Sequence, residues 1–141
     1  MSQTDPGVWS VDFFKENEEN LPVREWMLDL SIEVRAKLLA RIQLLREHGP
    51  SLDFPYTSQI ESRLRELRLR QGKTRYRVLY FFDDRRTCML LHGFTKNTEA
   101  VPPSETRVAL QRISVHESRL RGSAQSKPGN EKPAGSRRQG K

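Results

Sequence analysis

Between Pro22 and Pro50 the apolar side chains recur with a helical period, and between Leu64 and Phe94 they alternate or run continuously as strands do. The chain therefore divides into a helical part and a sheet part. Val23, Trp26, Met27 and Leu30 form one stripe behind Pro22, a residue that a first helical turn tolerates. Ser31 is placed to cap a second helix with the stripe Val34, Leu38, Ile42 and Leu45, which stops at Gly49 and Pro50. His48, in its last turn, suits the negative end of the helix dipole. Ahead of both, residues 8–14 (VWSVDFF) have the β-branched and aromatic content of a first strand.

Residues 64–70, 75–82 and 87–94 predict three antiparallel strands joined by the turn-like QGKT and DDRR. TCMLLHGF is nearly apolar throughout, which suits a strand covered on both faces. Ser104 is expected to cap a last helix carrying Val108, Ala109 and Ile113. The resulting class is α+β: a strand and a two-helix hairpin on a mainly antiparallel sheet, closed by a C-terminal helix.

Strand pairing then fixes which side chains share a face. A tight turn on Gly72 and Lys73 pairs Arg68 with Arg77 and Arg70 with Arg75, all four on one face, while Leu67, Leu69, Tyr76 and Val78 enter the core. A two-residue turn on Asp84 and Arg85 would set Arg77 opposite His92 and draw Arg68, Arg77 and His92 into one row; a longer loop would shift that register.

Charge sharpens this picture. The net charge is +7, yet Lys and Arg number six against ten Asp and Glu in residues 1–60 and six against five in 78–120. The excess lies in two blocks: seven against two in 61–77 and six against one in 121–141. The second block is poor in apolar residues and rich in Gly, Ser, Pro and basic residues, so a domain over 1–120 with a disordered tail over 121–141 is expected. The sequence has no long apolar run and no signal-peptide pattern at its start, so a cytoplasmic protein with no membrane partner is expected. One cysteine and three scattered histidines assemble no metal site, and Cys88, in an apolar run, reads as a buried inert thiol; neither metal nor cofactor is expected.

Like charges facing each other on a sheet are destabilising. One explanation is that the arginines of 63–77 fan into water or pair with acidic side chains of the helices. The other is a polyanion, since guanidinium groups grip phosphate in bidentate fashion and stay charged. On that reading Arg65, Arg70, Lys73 and Arg75 bind RNA phosphate.

The ordered set RAKLLARIQLLREHGP, PY, ELR, YRVLYFF, LLHGFTKNT and a proline before the last helix resembles the RelE/HigB superfamily of bacterial toxins, in its phage-associated HigB-like branch. The resemblance covers about residues 22–115. It implies a RelE-like fold and the toxin of a type II toxin–antitoxin system, a ribosome-dependent mRNA endonuclease acting in the ribosomal A site. It also implies a cognate antitoxin, usually of the helix-turn-helix type. Arg68 of ELR, Arg77 of YR, and His92 and Lys96 of LLHGFTK match the positions where such toxins place catalytic or RNA-binding groups. Arg65 stands where the family often has an aromatic residue, and Asn97 where it often has a second lysine. Arg68 and Arg77 suit stabilisation of phosphate charge, and His92 and Lys96 are the candidates for proton transfer, His92 being equally compatible with a backbone-bonded imidazole at a strand end. A non-catalytic ParE-like toxin and an RNA-binding relic of the same fold are the alternatives.

Overall fold

The computed structural model describes residues 8–98 and 100–125. The chain runs β1 (Ser10–Phe13), α1 (Pro22–Leu28), α2 (Ile32–His48), a 3-10 turn (Gly49–Ser51), β2 (Thr57–Glu61), β3 (Leu64–Gln71), β4 (Thr74–Phe82), β5 (Thr87–Lys96) and α3 (Pro103–Gln125). The five strands form one sheet in the order β1-β5-β4-β3-β2, antiparallel except for the β1–β5 pair. This is the α+β architecture with a C-terminal helix that the sequence pattern predicts, in the RelE-like form that the resemblance implies.

The helical hairpin forms for the anticipated reasons. Pro22 opens α1, and the Glu25 carboxylate accepts from the Leu21 amide at 3.0 Å, satisfying one of the donors a helix start leaves open. The Ser31 hydroxyl accepts from the Val34 amide at 3.2 Å at the head of α2, and Gly49 ends that helix with φ at 57°. Arg35 donates back to the carbonyls of Met27, Leu28 and Leu30, so α2 supplies the partners that the end of α1 lacks.

Two apolar layers flank the sheet. Val34, Leu38, Ile42 and Leu45 of α2 meet Leu67, Leu69, Val78, Tyr80, Cys88 and Leu90 on one face. Ala109 and Ile113 of α3 meet Leu64, Leu79, Phe81, Met89 and Leu91 on the other. Burial pushes the Cys88 thiol well above its ordinary pKa, in keeping with an inert core residue.

Four details depart from the sequence expectation. First, β2 is an additional strand: TSQIE is short and follows Pro55, and it pairs with β3 through a turn with Ser62 at φ 52°. Second, α3 begins at Pro103, whose missing N–H costs nothing at a first helical position, so Ser104 lies inside the helix and not at its cap. Third, α3 runs on to Gln125, past the expected start of the tail at Arg121; the rest of that segment, 126–141, lies outside the described residues. Fourth, the β4–β5 connection is longer than a two-residue turn.

That last difference moves a site residue. Asp83 donates its amide to the Thr87 carbonyl and Arg86 takes φ 64°, which sets Phe82 opposite Cys88. The extra residue alone would turn His92 to the other face. A bulge at Leu91, where the pairing passes from Tyr80–Leu90 to Leu79–His92, turns it back. His92 therefore lies on the arginine face but opposite Leu79, and Phe94 faces Arg77, so the expected row of Arg68, Arg77 and His92 does not form.

Candidate nucleic-acid interface

The β3–β4 hairpin has the anticipated register. Gly72 turns at φ 62°, Arg68 faces Arg77, and Arg70 faces Arg75. These residues share a face with Leu79 and Phe81, but they lie toward the hairpin tip, beyond the part of the sheet that the apolar stripe of α3 covers. On the outer side of β3, β2 ends with Thr57 opposite Leu67. From there the edge of β3 is completed by the 52–56 loop and by α2. The Arg68 amide donates to the Tyr56 carbonyl at 2.8 Å, and Arg41 of α2 donates to the Arg68 carbonyl at 2.5 Å.

The result is an open cleft of about 240 Å³ lined by Arg41, Pro55, Arg68, Leu69, Arg70, Arg75 and Arg77. Five guanidinium groups converge on one concavity. Lys96 extends it, since it sits opposite Arg75 across the β4–β5 ladder. Arg75 donates to the Asn97 carbonyl at 2.9 Å, and the Lys96 ammonium donates to the Ala100 carbonyl. Lys73 is exposed at the hairpin tip.

Arg77 is not a surface group. It is 1 % exposed, and its Nε lies 3.0 Å from Oε1 of Glu66, itself 3 % exposed, without the alignment of a hydrogen bond, so the contact is coulombic. Oε2 of the same carboxylate accepts from Arg68 at 3.0 Å and from the Ser58 hydroxyl at 2.5 Å. One buried carboxylate thus neutralises part of the cluster from below. The sequence carries its signal, since Glu66 is the only acidic residue between Glu61 and Asp83 and shares a strand face with Arg68.

Two expected site residues stand elsewhere. Arg65 belongs to the opposite face, where strand alternation puts it with Leu67 and Leu69; it donates to Gln59, Thr57 and the Tyr80 hydroxyl. Burial raises the Tyr80 pKa against the lowering effect of that arginine. Tyr76 and Tyr80 pack in the core on the face away from the cleft arginines, as anticipated. His92 does not line the cleft. Its Nε2 lies 2.5 Å from Glu105 in the first turn of α3, its ring stacks on Phe94, and Arg112 approaches its Nδ1 at 3.5 Å. Arg41 was missed because α2 reads as an amphipathic helix of core residues; its position seven residues after Val34, on the flank of the buried stripe, is the available signal.

The five-stranded, mainly antiparallel sheet with its helical hairpin and C-terminal helix gives the chain a RelE-like α+β fold. The chain matches, over residues 25–114, the family described as phage-derived protein Gp49-like (DUF891), and it belongs to that family. The family is RelE/HigB-like, which makes the chain a toxin-like member of the toxin–antitoxin class. No curated protein matches the chain. No helix among the described residues is long and apolar enough to cross a membrane.

Proposed function

We propose that the chain is the toxin of a type II toxin–antitoxin system and cleaves mRNA on the ribosome. The observation that carries this reading is the convergence of Arg41, Arg68, Arg70, Arg75 and Arg77 on one cleft, with Lys96 beside it. Cleavage by internal transfer has the 2′-oxygen attack phosphorus while the 5′-oxygen departs, and negative charge grows on the phosphoryl oxygens. Fixed guanidinium groups stabilise that charge better than mobile water does. Arg70 and Arg75 reach the phosphate from the hairpin. Arg68 is steadied by Glu66, and Arg77 forms a charged floor.

Lys96 is the group next to the cleft that can protonate a leaving oxygen, while His92 is engaged with Glu105. The ribosome and its bound message then complete the alignment and proton transfer. A cognate antitoxin, of the helix-turn-helix type in this branch, would bind the toxin and block the cleft. The engagement of His92 also favours a second reading, a non-catalytic toxin or RNA-binding relic that uses the arginines only for docking.

Incubation with message in a reconstituted bacterial translation reaction separates them. The endonuclease reading expects shortened message only where ribosomes are translating. Intact message with bound protein would favour the relic, and gyrase-dependent DNA breaks would favour a ParE-like poison.

A further inference from the structure

Beside the arginine cleft, two aromatic rings stand in water. Phe54 is 67 % exposed and Tyr56 is 39 % exposed, and Pro55 between them forms part of the cleft wall. A guanidinium of the cleft accompanies each ring: Arg68 lies 5.2 Å from the Phe54 centroid and Arg41 lies 5.0 Å from that of Tyr56. The loop that carries them is anchored. The amides of Tyr56 and Thr57 donate to the Asp53 carbonyl, the Thr57 hydroxyl donates to the Leu52 carbonyl at 2.7 Å, and the Tyr56 carbonyl accepts from β3 at Arg68.

An exposed phenyl ring contributes nothing to the core, and here it is held at the rim of a basic concavity. Rings on a fixed loop next to guanidinium groups are the components of single-strand RNA recognition, in which bases stack on aromatic faces while the backbone follows the positive charge.

Building on the RNA-cleaving reading, we infer that Phe54 and Tyr56 form a base-stacking shelf, with Phe54 taking an unpaired base of single-stranded RNA whose adjoining phosphate enters the arginine cleft. Position 65 cannot serve this purpose, because strand alternation turns it to the other face. Duplex RNA keeps its bases stacked on one another and gains nothing from the shelf.

The test is direct binding of the full chain to a short, uncleavable 2′-O-methyl RNA and, separately, to inorganic polyphosphate, comparing wild type with Phe54→Ala and Phe54→Trp. The expected result is a loss of about tenfold or more in RNA affinity for Phe54→Ala, with polyphosphate affinity and the salt dependence unchanged. Phe54→Trp should keep RNA affinity. Tight RNA binding by wild type with equal affinity in Phe54→Ala would overturn the shelf and leave the cleft reading standing. Failure of wild type to bind either polyanion would overturn the cleft reading and the shelf with it.

Discussion

Arg77 shows how one side chain can line a basic cleft while being almost wholly buried. Strand alternation places it on the arginine face, and Glu66 draws it into the interior. Without Arg77, the buried Glu66 carboxylate keeps Arg68 and Ser58, both on Oε2, and Oε1 loses its counter-charge. Arg77→Ala should therefore lose about 3 kcal/mol or more of stability. The double substitution Glu66→Leu with Arg77→Met should recover most of that loss, since two apolar side chains of similar volume need no counter-charge. Denaturant titration of the three proteins checks both statements; a single variant as stable as wild type would contradict the pairing. Activity is better probed at Arg70 and Arg75, which lie outside this pair. The residue-scale site was legible where alternation alone decides it, at Arg68, Arg70, Arg75 and Arg77. It was illegible where a partner from another element decides it, as with Arg41 from α2 and His92 held by Glu105.

At the scale of elements, the glycine of LLHGF serves packing. Gly93 lies in β5 under the indole of Trp26 from α1, and a Cβ built there would overlap the ring. Gly93→Ala should push α1 off the sheet at a cost of roughly 1–3 kcal/mol, seen as a lower thermal midpoint and altered Trp fluorescence.

The β4–β5 turn is tied to α3 by Asp83, which accepts from His116 at 2.9 Å, from Arg85, and from the Thr87 amide. Burial opposes its ionisation, but these hydrogen bonds prevail and hold its carboxyl below the ordinary value. Glu117 is held down likewise, by its hydrogen bond from Arg63. A carboxyl with a depressed folded pKa contributes stability that is present above its unfolded value and lost as pH falls through the folded one. The denaturation midpoint should accordingly fall as pH drops below about 4, and the fall should be shallower in Asp83→Asn. The same network explains why the turn was misread. DDRR looks like a two-residue hairpin, yet Asp83 organises a longer loop, and the bulge at Leu91 has no sequence signal beyond the apolar run.

For the whole molecule, the order of helices and strands was legible because each element carries its own period and its own stops. The short β2 was not, because five residues with a single large apolar side chain, Ile60, show no period. Charge distribution was a better guide to the position of the cleft than net charge. An acidic helical half presents one of its basic residues, Arg41, toward a basic hairpin, and the two meet at one cleft. The central claim is that this cleft handles the phosphate being cut. It is tested most directly by mapping message ends in a translating bacterial extract, comparing wild type with the Arg70→Ala, Arg75→Ala double variant. With each charge-assisted contact contributing about 1.5–3 kcal/mol, the account predicts cuts on translated message by wild type, reduced at least about a hundredfold in the folded double variant. Equal cutting by the two proteins would contradict it.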